Sequence, residues 1–199
     1  MPDTLRLFVG IDIDDDWTER LSAAVNHLRD GLGRAVRWVR PELYHVTVVF
    51  LGNQSPDAAE QIGDALTSAA ERSAPFSLHL GALYRLGGQE HGALVAGVDD
   101  RSGGLQAFRS RLDAELHTRG IPFDSKRLVP HVTLGRPRGR SVAIRLDAVS
   151  LRDASPITVR EVCLVKSDLL PTGPRYETIG SDRLGMRGSL GRAGSRAKT

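Results

Sequence analysis

The word His-Val-Thr occurs twice in this chain, at residues 45–47 inside HVTVVF and at residues 131–133 inside HVTL. The two histidines stand 86 residues apart, too far for one element and about right for two half-domains. A second similarity runs parallel to the first. The words VGIDID (9–14) and AGVDDR (96–101) each close an apolar, strand-like run and lead into an amphipathic segment. Asp12 precedes His45 by 33 residues, and Asp99 precedes His131 by 32. Self-similarity at a fixed interval is the mark of a repeated structural unit. The pattern predicts two strand–helix–strand units related by an approximate two-fold, with one His-x-Thr on each. Facing the units would bring both words to one cleft.

The remaining periodicities fit that frame. Leu5, Leu7, Val9, Ile11 and Ile13 alternate as in a half-buried strand. Asp14 can cap a helix carrying Trp17, Leu21, Ala24, Val25 and Leu28, which Gly31 would stop. VRWV is a short strand ended by Pro41. Ser55 and Pro56 open a second helix with Ile62, Ala65, Leu66 and Ala69 on one face. FSLHLGALYRL and GALVAGV form a hairpin around Gly87 and Gly88. Ser102 opens a third helix through Leu105, Phe108, Leu112 and Leu116, closed by Gly120. HVTLGR, ITVREVCLVKSDL and RYETIG supply further strands. Strands and helices mixed without a strict βαβ rhythm predict an α+β fold.

In a strand, residues i and i+2 share a face. His45 and Thr47 therefore point one way while Val46 and Val48 point to the core, and His131 and Thr133 do the same. Histidine gives and takes protons near neutrality, and a threonine hydroxyl donates to a phosphoryl oxygen without adding charge. Two such pairs supply an acid, a base and two oxygen clamps. A lone HVT would be an ordinary strand histidine; two copies in a duplicated frame argue for chemistry. His27, His79, His91 and His117 carry no such context. No metal or cofactor is expected: the words lack His-x-His or HExxH spacing, and no carboxylate shares their strand face.

Composition bounds the remainder. No apolar run approaches the roughly 20 residues of a membrane span, the N-terminus MPDTLRLFVG lacks a signal-peptide layout, and the cytoplasm is the expected compartment. The single cysteine, Cys163, excludes an intramolecular disulfide and reads as a buried strand thiol. Residues 183–199 hold five Lys and Arg and no acid, more than the whole net charge of +3, which leaves residues 1–182 near −2. The expected organisation is one bilobal domain over 1–182 and a basic, disordered tail over 183–199. The tail can touch RNA or acidic surfaces only weakly. A monomer is expected.

HVTVVFLG after RWVRPELY, HVTLGR after RLVP, and the opening LRLFVGIDI resemble the two-histidine phosphoesterases. Within that superfamily the likeness is to bacterial RNA 2′,3′-cyclic phosphodiesterases, also called 2′-5′ RNA ligases, over about residues 5–180. The resemblance implies a bilobal arrangement of antiparallel sheets with outer helices around a central cleft. It implies hydrolysis of 2′,3′-cyclic phosphates on RNA 3′ ends or small nucleotides, leaving a 2′-phosphate. His45 would be the proton donor and His131 the proton acceptor, with Thr47 and Thr133 on the non-bridging oxygens. Arg136 matches a phosphate-contacting arginine of the family. Strict alternation puts it on the face opposite His131, so the role needs a twist or bulge near Gly135. Phe8 can wall the cleft and stack on a base, or pack against a helix. Arg37, Trp38 and Tyr176 are weaker cleft candidates. The rival readings are a non-catalytic RNA-end binding module, and a phosphodiesterase of the same superfamily acting on an ADP-ribose cyclic phosphate or a 2′-5′ oligonucleotide.

Overall fold

The computed structural model describes residues 4–88, 92–138, 151, 154–171, 173–186 and 196–198. The strands are β1 (Leu5–Asp12), β2 (Val36–Trp38), β3 (His45–Gln54), β4 (Phe76–Leu86), β5 (Ala93–Asp99), β6 (His131–Pro137), β7 (Ile157–Val159), β8 (Glu161–Leu170), β9 (Gly173–Arg183) and β10 (Arg196–Lys198). The helices are α1 (Asp15–Leu32), α2 (Pro56–Glu71) and α3 (Gly104–Thr118). All strand pairs are antiparallel, in the order β10-β9-β8-β1-β3-β6-β5-β4-β7, with β2 joined to the end of β6. This is the α+β fold expected, with the two units meeting at the centre of one sheet path.

Burial explains which face the helices take. Leu7, Val9 and Ile11 of β1 pack in one core with Trp17, Leu21 and Leu28 of α1, Ile62 and Leu66 of α2, and Leu105, Phe108 and Leu112 of α3. The alternate residue Phe8 belongs to a separate small cluster with Cys163, Val165 and Tyr176. Among the described residues, the three helices thus pack on one face of the sheet and none on the other, in keeping with the alternation along β1.

The repeat is visible in the hydrogen-bond register. Val46 and Val132 are partners at the β3–β6 seam. On the outer side of each seam strand, the ladder slips by one residue just after the His-x-Thr word. Gly10 pairs with Thr47 but Val9 pairs with Val49, making Val48 the extra residue. Val95 pairs with Thr133 but Leu94 pairs with Gly135, making Leu134 the extra residue. Val48 and Leu134 are the fourth letters of HVTV and HVTL, so the two bulges are equivalent.

Several boundaries differ from expectation. Gly31 stays inside α1, and the helix ends at Gly33, whose φ of +47° suits glycine and whose N–H bonds the Arg29 carbonyl. Gly103 caps α3 (φ +71°), while the Ser102 hydroxyl accepts from the Gly104 N–H. ITVREVCLVKSDL is two strands: Arg160 and Glu161 are adjacent exposed residues that break the alternation, and β7 pairs with β4 while β8 pairs with β1. The body runs past residue 182, because Leu184 is buried and Gly185 donates to the Ala70 carbonyl. Of the expected disordered tail, Arg196–Lys198 pair with β9 as β10, since an edge strand offers unpaired backbone groups to any extended segment. Residues 187–195 and 199, like His91, lie outside the described residues.

Candidate active site

The seam sets the geometry of the two words. Val46 and Val132 are each 0% exposed, and the residues that flank them, His45, Thr47, His131 and Thr133, are all half-buried on the opposite, helix-free face. Antiparallel register around the valine pair puts His45 across from Thr133 and Thr47 across from His131. The two histidines are diagonal neighbours, a relationship that spans about 7–8 Å in an antiparallel ladder. Four chemistry-bearing side chains therefore occupy the corners of one small quadrilateral.

Both rings are held alike. His45 Nδ1 lies 2.8 Å from the Leu43 carbonyl, and His131 Nδ1 lies 2.7 Å from the Val129 carbonyl. A carbonyl only accepts, so each Nδ1 carries a proton and each Nε2 is the ring nitrogen whose protonation can change. His45 Nε2 is 3.0 Å from the Thr47 hydroxyl. An aromatic corner fixes the His45 ring: Phe8 at 4.9 Å and Tyr176 at 5.2 Å, the latter edge-on, with Phe8 and Tyr176 themselves 5.3 Å apart.

The surroundings of the two imidazoles differ in charge. Asp12 is the register partner of His45 and lines the same slot, together with Phe8, Gly10, Tyr176 and Thr178. The equivalent register partner of His131 is Gly97. Burial holds the His131 pKa below 6.5; the Val129 carbonyl opposes this and the nearby Arg136 guanidinium adds to it. Burial also raises the Tyr176 phenol, against the lowering influence of Arg136 and Arg6.

Arg136 reaches this face because of the Leu134 bulge. The extra residue resets the alternation of β6, so Arg136 shares the side of His131 and Thr133 and stays exposed. Gly135 makes room for the strand beyond it: a Cβ there would stand 2.6 Å from Val36 Cγ1 and 3.1 Å from Trp38 Cε3. Trp38 packs on the core side, under the Arg29 guanidinium at 5.8 Å, and so leaves the cleft candidates. Phe8 walls the cleft but is 4% exposed, with almost no face to offer a base. Its ring lies against His45, and Gly10 leaves it room, since a Cβ there would stand 3.0 Å from Phe8 Cε2. Among the described residues, no group of three or more His, Cys, Asp or Glu could hold a metal ion.

Three residues of the site are not evident from sequence patterns. Asp12 stands out there only as a marker of the repeat. Phe50, 50% exposed, lines a depression shared by Thr47 and His131. Arg109 is 4% exposed on the apolar stripe of α3 and donates to the Val48 carbonyl at 2.6 Å and the Asp124 carbonyl at 2.7 Å. Asp124 in turn donates its N–H to the Phe50 carbonyl. A lone arginine four residues after Leu105, among core positions, is the available signal.

Residues 17–169 match the profile of the 2′-5′ RNA ligase superfamily. A Geobacillus stearothermophilus protein named RNA 2′,3′-cyclic phosphodiesterase is 31% identical over 147 residues, covering 72% of this chain but only 46% of that protein, so the chain spans less than half of its length. An Archaeoglobus fulgidus protein of the same name is 28% identical over 178 residues, covering 88% of this chain and 98% of the relative. Among solved structures, a Thermus thermophilus protein superposes with a TM-score of 0.78 at 21% identity, over 92% of this chain and 100% of that one. Escherichia coli LigT complexed with 3′-AMP superposes with a TM-score of 0.70 at 22% identity, over the same shares. These superpositions establish the fold.

Proposed function

This chain belongs to the 2′-5′ RNA ligase superfamily, and from that premise we propose that it hydrolyses 2′,3′-cyclic phosphates at RNA 3′ ends or on small nucleotides to 2′-phosphomonoesters, without a metal ion. The observation that carries the proposal is the seam: two imidazoles with equivalent Nδ1 anchors, each beside a threonine, on one open face. The curated relatives bear the name of this activity, and LigT has been crystallised with 3′-AMP.

In the reaction, His131 Nε2 takes a proton from water as the water oxygen forms its bond to phosphorus. The P–O3′ bond breaks in line, and His45 Nε2–H gives its proton to the departing oxygen. The phosphate stays on O2′. Thr47, Thr133 and Arg136 hold the non-bridging oxygens as their charge grows. The electrostatic asymmetry supports this order of roles. Arg136 disfavours a proton on His131, which suits a base, while Asp12 is the register partner of His45, the imidazole assigned as the acid.

The deciding experiment is an assay of mononucleoside and oligonucleotide 2′,3′-cyclic phosphates with and without EDTA, with identification of the hydroxyl that keeps the phosphate. Formation of 2′-phosphates untouched by chelator is the expected result. Binding without turnover would instead favour an RNA-end binding module. Loss of activity with EDTA would overturn the two-histidine mechanism.

A further inference from the structure

Arg37 and Arg136 are direct register partners across β2 and β6. Directly opposed residues of a ladder project to the same side. Val36 and Trp38, the neighbours of Arg37, pack toward the core, which turns Arg37 with Arg136 to the helix-free face. Both arginines are exposed, and among the described residues neither meets a carboxylate. Like charges placed opposite each other destabilise a strand pair. Here the arrangement is held firmly: Trp38 and Val36 pack over Gly135, and the backbone bond from the Val39 N–H to the Leu134 carbonyl (2.8 Å) fixes β2 on β6. Two planar guanidiniums side by side, with no carboxylate between them, are built to receive an oxyanion.

The position matters as much as the charge. Arg136 lies close enough to bear on both His131 and Tyr176, so the pair adjoins the reacting phosphate. β2 and β3 meet β6 on the same edge, and Arg37 therefore continues the line of His45 away from the reaction centre. On the proposed reading, Arg136 contacts the reacting phosphate. That leaves the Arg37 guanidinium, beside it on the same face, as the cation available to a further anionic group of the same nucleotide.

We propose that Arg37, braced opposite Arg136, is a second phosphate subsite that binds the 5′-phosphate of the terminal nucleotide, and so lets the enzyme distinguish an RNA end from a bare nucleoside cyclic phosphate. The inference rests on the proposed phosphodiesterase reading and deepens it. The test compares adenosine 2′,3′-cyclic phosphate with its 5′-phosphorylated form as substrates. It also compares adenosine 2′-monophosphate with adenosine 2′,5′-bisphosphate as non-turnover ligands. Wild type should prefer the 5′-phosphorylated member of each pair on the order of tenfold, as one charge-assisted contact provides. Arg37→Ala should erase that preference ratio, and Arg37→Lys should keep part of it. Arg37 is exposed, so a thermal melt should show both variants folded.

An unchanged ratio in Arg37→Ala, or no preference in wild type, overturns the proposal. If wild type turns over neither cyclic phosphate yet binds the bisphosphate more tightly in an Arg37-dependent way, the subsite stands and the hydrolytic reading falls.

Discussion

Val46 and Val132 oppose each other across β3 and β6 with no exposed surface on either. That one pair puts the two halves of the chain in register and turns both His-x-Thr words outward together. Because strand side chains alternate, a one-residue slip of either strand would turn its own histidine and threonine into the core and expose its valine. The catalytic proposal therefore depends on a packing contact as much as on the histidines.

The first prediction concerns those histidines. His45→Ala and His131→Ala should each lower kcat on a 2′,3′-cyclic nucleotide by about 10²–10⁴. The double variant should be little worse than the poorer single one, because acid and base act as a unit. Both rings are half-buried, so melting temperatures should change only slightly. Single-turnover rates alongside thermal melts check the pair of statements; wild-type turnover in either variant would remove the mechanism.

A second prediction follows from charge. A general base works only when deprotonated, so kcat/KM should rise as pH passes the His131 pKa. Burial and Arg136 hold that pKa below 6.5. Arg136→Gln removes the cation and should move the acidic limb of the profile to higher pH, short of the full return because burial, the larger cause, remains. The limb's position is separate from the loss of amplitude that a weakened phosphate contact brings. Following the His131 ring proton by NMR across the same pH range gives an independent reading of the shift.

How much of this is legible in the sequence follows from what alternation can and cannot reveal. His45, Thr47, His131 and Thr133 are legible because a two-residue period fixes their shared face whatever the sheet does elsewhere. Arg136 is legible only with a bulge invoked near Gly135, and the extra residue is Leu134. For Phe8, the sequence indicates the correct face but not the access: alternation tells which side a ring takes, and Tyr176, from the far end of the chain, decides whether that side is covered. The opposition of Asp12 to His45 and of Arg37 to Arg136 depends on strand register, which no local pattern encodes. The break in ITVREVCLVKSDL is present as two adjacent charged residues, Arg160 and Glu161.

A third prediction tests the brace of β2. Gly135→Ala puts a methyl group 2.6 Å from Val36 Cγ1, with the Trp38 ring behind it. Neither neighbour is the free end of a long side chain, so the strand must shift. Overpacking of this kind costs about 1–3 kcal/mol. The displacement of β2 would carry Arg37 with it, so the variant should also lose discrimination between 5′-phosphorylated and unphosphorylated ligands. Gly180→Ala, whose added Cβ meets only Leu164 Cβ at 3.8 Å, is the control expected to change neither property.

The last prediction concerns Arg109, which ties α3 to the bulge beside Thr47. Its guanidinium donates to the carbonyls of Val48 and Asp124 and pairs with Asp113 at 2.6 Å. Val48 is the extra residue of the bulge, and a bulge leaves a backbone group without its ladder partner. Arg109 supplies that partner from the core side. Arg109→Met keeps much of the apolar stem but strands both carbonyls, at about 1–3 kcal/mol for each buried group left unsatisfied. A purely structural role would end there. If the arginine positions Thr47 and Phe50, kcat should also fall several-fold at temperatures well below the melt, with KM for a mononucleotide nearly unchanged. Arg109→Lys, able to reach one carbonyl, should recover part of both losses. Full kcat in a destabilised Arg109→Met would confine the residue to holding the fold, because the bulge would then keep its shape without the guanidinium.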